Sequence, residues 1–452
     1  MVWLAVGGLV ALAGVPATLT AQGFSVNEHG ACAMGRAGTG VAAPCSDGSA
    51  IFFNPAGVAS AVKGRWTVSG GGVVISPRGG FTDDATSLET KLNSKNYPIP
   101  SLYITRGISD KVAAGVGVFA PYGLTTDWPS NSPVAFLGYK SVIRAIYIQP
   151  TVGVKLGQYV QLGAGFDFTL FHVQLRQRVD LSTQTAVPGV TFGNLGIPTG
   201  TAFADVNLHG NTTTVGYHLG AIFKPSDRVS FGVRYLSRQK AKIDNGRAEI
   251  SQVSTGIILP AGNPFPGVPA GTPLDSVVAP QFRGSGPLQD QGARTGVRLP
   301  EQLVAGVMVK PIDRVRLFFD LSYTNWTVFD TLDIITENLP EINLPENFGK
   351  TTAWRFGGEY DLSPGTTLRA GYLFHDAAEP DGSVTPNLPE GRRSEFTVGL
   401  GTRLGQKLHA DFAYQYIDQG DRRGRTVSFG QPDNGLFNFK AHLFGAALTY
   451  TF

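Results

Sequence analysis

The chain has 452 residues, of which only 16% are charged, whereas an average soluble domain carries about 25%. Lys and Arg number 37 against 34 Asp and Glu, a net charge of +3, so the basic excess of a nucleic-acid-binding protein is absent. Glycine is abundant, at 58 residues, and after the first 15 residues no segment approaches about 18 uninterrupted apolar residues, which excludes a bundle of membrane helices in the mature chain.

The first residues, "MVWLAVGGLVALAGVPATLTA", predict a secretory signal peptide over 1–21. An apolar run at 2–15 is followed by small residues and by a cleavage site after Ala21. The alternative is a buried N-terminal helix. Export of the chain is therefore expected.

A compact segment over 22–64 precedes the first strand. Its "IFFNPAGVAS" run predicts a turn at Asn54, Pro55 and Ala56, because Asn-Pro favours turns and the residue before Pro avoids helical geometry. Phe52 and Phe53 are expected to anchor that turn by packing. Both cysteines of the chain lie in this segment.

Cys32 and Cys45 leave two interpretations open. An exported protein can join such a pair in a disulfide that closes a short loop, or the two thiols stay free. Two ligands at this spacing do not make a zinc site, so no metal is predicted.

Alternating apolar and polar residues predict about fourteen β-strands over the remainder, 65–452. In 407–416, for example, Leu408, Phe412 and Tyr416 share one face, and His409 and Asp411 lie on the other. The predicted strands cover 65–76, 100–108, 111–120, 139–156, 159–178, 208–224, 228–243, 298–310, 313–335, 351–362, 366–376, 393–404, 407–419 and 437–452.

Short turns such as "KPSDR" and "DLSPGT" alternate with long connections, the longest being 179–207 and 244–297. One-sided loops and an even strand number are typical of a transmembrane β-barrel, with both termini on the periplasmic side. A charge facing lipid costs about 2–4 kcal/mol near the midplane, so the charges opposite the apolar stripes should face the lumen. The soluble alternatives are a large β-sandwich or propeller. The charges in question are Asp167, Arg234, Asp320, Arg355, Glu359, Arg369, Arg403 and Asp411.

A ring of about fourteen strands is too wide for its own side chains to fill, since around eight strands already suffice for that. The segment 22–64 is the simplest filling, a small hatch folded into the periplasmic mouth. The sequence therefore predicts an all-β transmembrane barrel with an N-terminal plug in its lumen.

The run 23–59 resembles the hatch of the FadL/TodX family of outer-membrane transporters for long-chain fatty acids and other hydrophobic compounds. The similar motifs are Gly23-Phe24, Asn27-Glu28, Gly35-Arg36-Ala37 and Asn54-Pro55-Ala56. Further similar segments are "PYGLTTDW" at 121–128, "LPEQ" at 299–302, "YTNWTVFDTL" at 323–332, "AWRFGGEY" at 353–360 and the C-terminal strand.

The resemblance implies a monomeric, hatch-plugged barrel in the bacterial outer membrane that passes hydrophobic molecules without energy input. Ligand would be caught between the loops 179–207 and 244–297 and would leave sideways through a gap in the wall. Carriage of monoaromatic hydrocarbons by the same family is one alternative, and a general porin with an open lumen is another.

Candidate site residues follow from the same resemblance. Arg176, Arg178 and Lys350 lie near the positions where the family has basic side chains for a carboxylate, although each also fits a solvated rim charge. The predicted lining of the apolar pocket is Phe24, Phe52, Phe53, Trp326 and Phe329, with Trp326 equally suited to the interfacial aromatic girdle.

The sideways exit is predicted at Pro121 and Gly123. Proline has no N–H to give to a neighbouring strand and is confined to edges, ends or bulges of sheets. Either it interrupts pairing and opens a lateral gap, or the third strand ends at Ala120 and Pro121 begins a loop. The similarity of "YGL" to the family favours the gap.

No cofactor is predicted, and no catalytic motif stands out, since neither Gly-x-Ser-x-Gly nor His-Glu-x-x-His occurs. An esterase or protease of the outer membrane is the enzymatic alternative. The terminal aromatic strand ending at Phe452 is similar to the signal read by outer-membrane assembly machinery.

Overall fold

The computed structural model describes residues 23–425, 427–428, 431–432 and 434–452. The predicted signal peptide and residue 22 lie outside the described residues. Within them, fourteen long antiparallel strands form a closed barrel. In chain order, β1 to β14 are Trp66–Asp83, Tyr97–Gly107, Val112–Asp127, Lys140–Leu156, Val160–Asp180, Ala202–Ser226, Val229–Leu236 with Gln239–Gln252 (β7), Gln291–Leu299 with Gln302–Ile312 (β8), Val315–Asn325 with Thr331–Thr336 (β9), Lys350–Ser363, Thr366–His375, Arg393–Arg403, Leu408–Gly424 and Gly435–Thr451.

Three of the strands are interrupted. β8 is interrupted at Pro300, which has no backbone N–H to donate to a neighbouring strand. β9 is interrupted by a 3-10 turn, Trp326–Val328. β7 is interrupted at residues 237–238. The expectations of unbroken strands over 228–243, 298–310 and 313–335 are therefore wrong. Several other strands extend beyond their predicted ends toward the long connections, and β1 reaches Asp83 where the prediction stopped at 76.

The remaining regular elements are short. The helices are Ala31–Met34 (α1), Ala50–Phe53 (α2) and Leu274–Val278 (α3). The other 3-10 turns are Pro55–Ser60, Pro133–Phe136, Leu181–Thr183, Gly193–Leu195 and Ala279–Phe282. The short strands are Glu89–Lys91, Thr185–Val187, Val190–Thr191, Ile342–Pro345, Val427–Ser428 and Gln431–Pro432. Among the described residues, no helix has both the length and the apolar character needed to cross a membrane.

The two faces of the wall follow the predicted alternation. On β5, Phe166, Phe168 and Leu170 are exposed, whereas Asp167 and Thr169 between them are buried. The predicted inward charges are buried on the other strands too, except Arg403, which keeps the inward register but is exposed at the end of β12. Apolar side chains thus face out and charged ones in, as lipid requires.

The connections are short at one end of the barrel and long at the other, which we call the outer end. There, the loops 181–201 and 253–290 pack on each other through an apolar cluster. Its loop members include Leu181, Phe192, Leu259, Leu274 and Val278. The two loops are thus ordered by packing even though they carry little regular structure.

Residues 23–61, the N-terminal segment, lie within the ring of strands. They are almost entirely buried, and their backbone lies so close to the wall that a side chain on many inward positions would collide with it. Glycine is the residue that allows such an approach, which accounts for part of the high glycine content. The wall glycines whose added Cβ would meet the segment include Gly115, Gly153, Gly163, Gly220, Gly232, Gly306, Gly357, Gly371, Gly399 and Gly445.

Candidate ligand site at a gap in the barrel wall

The pairing between β2 and β3 stops part-way along both strands. Their residues are in register from Gly107 opposite Ala113 to Leu102 opposite Val118, and no further. Beyond that point, β2 pairs only with β1, up to Tyr97. β3 instead continues to Asp127, pairing with β4. A gap therefore separates the outer halves of two consecutive strands.

Pro121 lies inside this strand and not at the start of a loop. It belongs to a bulge of β3, because Phe119 lies opposite Tyr147 but the next pair joins Tyr122 to Ala145. A bulge kinks its strand and ends pairing locally, and proline is tolerated there because it has no N–H to place.

The N-terminal segment pairs with the backbone that β2 leaves unpaired. The Val26 N–H donates to the Pro121 carbonyl at 2.8 Å, and the Gly123 N–H donates to the Phe24 carbonyl at 3.0 Å. Some backbone groups at the β3 edge thereby have hydrogen-bond partners inside the barrel, so this side of the gap is ordered.

A cavity of about 760 Å³ opens at the gap. Residues of both edges line it, including Ile99 of β2 and Gly123 of β3. Its size falls in the usual range of small-molecule sites, and its wall is largely apolar. Apolar lining residues include Phe24, Ile75, Ile99, Phe119, Leu124, Ile143 and Leu388.

Known proteins are similar to this chain along nearly its whole length. The family model described as outer membrane protein transport protein (OMPP1/FadL/TodX) matches residues 12–452. The chain belongs to the FadL/TodX family. A putative outer membrane protein, NMB0088, of Neisseria meningitidis is 24% identical, and the match covers 98% of this chain and 97% of the relative. The long-chain fatty acid transport protein of Escherichia coli K12 is 22% identical with the same coverages.

Solved structures show the same fold. A Pseudomonas aeruginosa FadL homologue superposes with a TM-score of 0.77 at 20% identity, covering 95% of this chain and 99% of that chain. The Pseudomonas putida toluene transporter TodX gives 0.69 at 17% identity, with the same coverages. This FadL/TodX-family protein is thus a multi-pass protein of the bacterial outer membrane.

The predicted turn lies deep within the barrel. The Asn54 amide donates to the carbonyls of Val41, at 2.7 Å, and of Ala221 in β6, at 3.0 Å, while its oxygen accepts from the Ala56 N–H at 3.1 Å. Pro55 begins the following 3-10 turn. The turn therefore ties the N-terminal segment to itself and to the wall.

Phe52 and Phe53 lie beside this turn, away from the cavity surface. The Arg234 guanidinium lies 4.4 Å from the Phe52 ring centre and donates to the Phe52 carbonyl at 3.0 Å. Phe52 also meets Phe119, with 5.3 Å between ring centres. The Phe52 ring thus supports the cavity from behind Phe119, which does line it.

Phe24 lines the cavity, and its neighbours hold it in place. Its ring centre lies 4.7 Å from that of Trp326, 5.5 Å from that of Phe329 and 6.2 Å from that of Tyr122. Trp326 is fully buried, so it does not belong to an interfacial girdle. The structure brings Phe24, Trp326 and Phe329 together, but of these predicted lining residues only Phe24 lies on the cavity surface.

The three cations predicted to hold a carboxylate are not at the cavity. Arg176 and Arg178 share a face with the exposed Phe168 and bind Asp205, at 2.7 and 2.9 Å. The side chains of both arginines point out of the barrel because strands have a period of two, which puts even-numbered residues of β5 outside. Lys350 is exposed at the start of β10.

Sequence reasoning missed the charged residues that do line the cavity. Arg393, on the inward register of β12, donates from Nε to the Gln419 oxygen at 3.2 Å and forms no ion pair with the described residues. Four carboxylic acids line the same cavity: Glu28, Glu390, Glu395 and Asp127, the last of which is paired with Lys95. Only the "NE" of the hatch motif signalled Glu28, and nothing in the strand pattern distinguished Arg393 from other strand-end arginines.

The N-terminal segment carries its own covalent link. Cys32 and Cys45 form a disulfide, and both residues are buried. It closes the part of the chain in which Arg36 donates to Glu359 of β10 at 3.0 Å and Asp320 of β9 accepts from the Gly40 N–H at 2.8 Å. The link and these contacts fix the same stretch against the wall.

Proposed function

We propose that this protein passively takes up long-chain fatty acids or similar hydrophobic compounds and releases them sideways through the gap between β2 and β3. The observation that carries the proposal is an apolar cavity that meets the membrane-facing wall where two consecutive strands stop pairing. The names of the FadL and toluene-transporting relatives support the substrate class.

An opening of this kind is costly in lipid. Unpaired backbone groups in hydrocarbon each cost several kcal/mol, which is why barrels close completely. Here the bulge at Pro121 and the backbone bonds from Phe24 and Val26 lower that cost on one edge. These hydrogen bonds support a functional opening, because an accidental break in strand pairing would not be expected to have its inner edge paired with the N-terminal segment.

We infer that the N-terminal segment acts as a hatch. Its contacts reach strands around the ring, from Pro55 at Gly163 of β5 to Met34 at Gly445 of β14. The Asp320 carboxylate holds the backbone N–H groups of Gly40 and Val41, at 2.8 and 3.1 Å. A lumen filled in this way leaves the side of the barrel as the route for apolar ligands.

The general-porin alternative is tested by conductance in a planar bilayer. A hatch-filled barrel is expected to carry little ionic current, whereas an open fourteen-stranded lumen carries a large and steady one. A steady large conductance of the purified full chain would contradict the hatch.

Substitution of Gly123 tests the route itself. An added Cβ there meets only Val26 and the Ile143 carbonyl, at 3.7 and 3.8 Å, so a large side chain can enter the cavity without a clash at its base. Gly123→Trp is expected to reduce uptake of radiolabelled oleate at least tenfold while the barrel still folds. Gly70→Trp is the matched control, because Gly70 faces outward with nothing within 4 Å of its added Cβ.

The comparison is decisive in both directions. Uptake that persists in Gly123→Trp would show that the ligand does not pass this cavity. Loss of uptake in both variants, with both folded, would show that tryptophan on the wall is harmful at any place, and the route would lose its support.

The cavity charges separate two substrate classes. We propose Arg393 as the partner of a fatty acid carboxylate, since it is the inward cation on the cavity wall that lacks an ion pair among the described residues. Arg393→Gln should weaken oleate uptake and leave toluene uptake unchanged. The control is Arg392→Gln, a neighbour that is exposed and lies 3.7 Å from Asp376.

Monoaromatic hydrocarbons are the second candidate. The acidic side chains of Glu28, Glu390 and Glu395 on the same wall favour a ligand without negative charge. Equal oleate uptake in Arg393→Gln and the parent protein, together with efficient toluene uptake, would select this class over fatty acids.

A further inference from the structure

Basic side chains cluster on the outward face of β7 and β8 near the outer end. All six members of this cationic patch are exposed. The patch consists of Lys240, Lys242, Arg247, Arg294 and Arg298 on the strands and Arg238 in the interruption of β7. It lies apart from the cavity, since none of its members lines that space.

The strand register sets two of these charges directly against each other. Lys240 lies opposite Arg298 across the β7–β8 ladder, and Gly296 lies opposite Lys242. Like charges placed directly opposite destabilise a sheet. Neither Lys240 nor Arg298 forms an ion pair within the described part of the chain, so the repulsion is not relieved internally.

The acidic residues nearby already have partners, one of them within the patch itself. Asp244 pairs with Lys242 at 2.9 Å, and Glu249 accepts from Asn207 at 2.8 Å and faces His209 at 3.3 Å. The Glu301 carboxylate accepts from the Asn325 amide at 2.8 Å.

Two further carboxylates, Asp333 of β9 and Glu337 just after it, are exposed near the patch without an ion pair to it among the described residues. The pair Lys240 and Arg298 therefore remains as uncompensated positive charge at the centre of the patch.

The patch begins where the apolar band ends. On β7, Phe231 and Val233 are exposed below it, and Tyr235 meets Tyr217 with 5.9 Å between ring centres. Tyrosines of this kind mark the membrane interface. At a strand rise of about 3.4 Å and a tilt near 40°, Lys240 lies roughly 13 Å beyond Tyr235, at headgroup height.

We propose that the cationic patch binds the phosphate groups of an acylated glycolipid in the outer leaflet. Arginine pairs with phosphate through two parallel N–H groups, and lysine adds a compact charge. The acyl chains of the same molecule would lie on Phe231, Val233 and Leu303 directly below. This joint demand for phosphate and apolar chain favours a lipid over free phosphate.

The test measures lipid binding to the purified full chain by native mass spectrometry from detergent micelles. The probes are bisphosphorylated lipid A and the same lipid with both phosphates removed. Lys240→Gln/Arg298→Gln should bind bisphosphorylated lipid A about thirtyfold more weakly, and Arg298→Gln alone about fivefold. The parent protein and the two variants should all bind the dephosphorylated lipid equally weakly.

The matched control removes two charges at the other end of the barrel. Arg314→Gln/Lys407→Gln changes two exposed turn cations that have no ion pair among the described residues, and it should retain the parent affinity. Folding of each variant is checked by its heat-modifiable migration on gels.

Three results would overturn the proposal. Parent-like affinity in Lys240→Gln/Arg298→Gln is one, and an equal loss in the control pair is another. Displacement of lipid A from the parent protein by millimolar inorganic phosphate is the third, because it would identify the patch as a free-phosphate site.

Discussion

Two junctions of the wall differ sharply: the seam where β1 meets β14, and the gap where β2 meets β3. At the seam, pairing runs without a break from Thr67 opposite Thr451 to Asp83 opposite Gly435. At the gap, pairing ends at Leu102 opposite Val118. The junction formed by residues far apart in sequence is complete, whereas the one between neighbours in sequence is open.

The difference teaches that chain connectivity does not decide where the barrel opens. The seam has wall glycines that let the strands lie close, as at Gly71, where an added Cβ would meet Ala447. The gap has a bulge, a proline and an inner strip from the N-terminal segment. Local chemistry along β3 produces the opening.

The largest effect is expected from crowding the seam. Gly71→Val would place a branched side chain against the Ala446 carbonyl and Ala447, and overpacking of this kind costs about 1–3 kcal/mol or more. We expect most of the protein to fail to assemble, as measured by the fraction with heat-modifiable gel mobility. Gly70→Val, one residue away and facing outward, should assemble normally; equal failure of both would mean that β1 tolerates no branched residue.

Closing the gap should have an intermediate effect. Pro121→Val restores a backbone N–H and removes the reason for the bulge. One added hydrogen bond of about 1 kcal/mol changes the ratio of open to closed gap about fivefold. Oleate uptake should fall by about that factor, with assembly unchanged. Unchanged uptake would show that the width of the gap does not depend on Pro121.

The smallest effect concerns pH and the loop 376–392 beside the cavity. Burial raises the pKa of Glu390 to about 7, and burial together with the neighbouring Glu346 and Glu390 carboxylates raises the pKa of Glu379 well above its usual range. Raised carboxyl pKa values mean that the packed loop holds protons which the opened loop releases. The stabilisation is complete below about pH 4.5 and is lost as the pH rises through about 7.

Hydrogen exchange of this loop should therefore speed up between pH 5 and pH 9, after correction for intrinsic rates, while the seam strands stay protected. Glu390→Gln should weaken that dependence, because the amide does not titrate and only Glu379 is left to release a proton. An exchange profile that is level with pH in the parent protein would contradict the assignment.

Much of the fold could be predicted because a barrel strand in lipid has a period of two and one permitted polarity. The alternation of Phe166, Asp167, Phe168 and Thr169 is enough to place each side chain inside or outside. The pause of β9 at Trp326 was missed, because a packed tryptophan in a 3-10 turn has the same composition as an aromatic strand residue.

The candidate site was predictable only in part. Phe24 and Pro121 stand in recognisable motifs, and both lie where the cavity meets the gap. Arg176 and Arg178 were placed by their position along the strand, although their even register puts them outside. Arg393 was missed because it reaches the cavity only if the wall opens between β2 and β3, and the strand pattern does not show where the wall opens.

The sequence by itself determined that this chain is a barrel with an apolar outer surface, charged inner side chains and an N-terminal segment rich in small residues. The physical reason is that lipid imposes one polarity on every strand, so the pattern repeats locally and can be read locally. Only the tertiary structure decided which junction stays unpaired and which charges reach the cavity or the outer rim. Those outcomes depend on register and on contacts between residues hundreds of positions apart, such as Arg36 with Glu359.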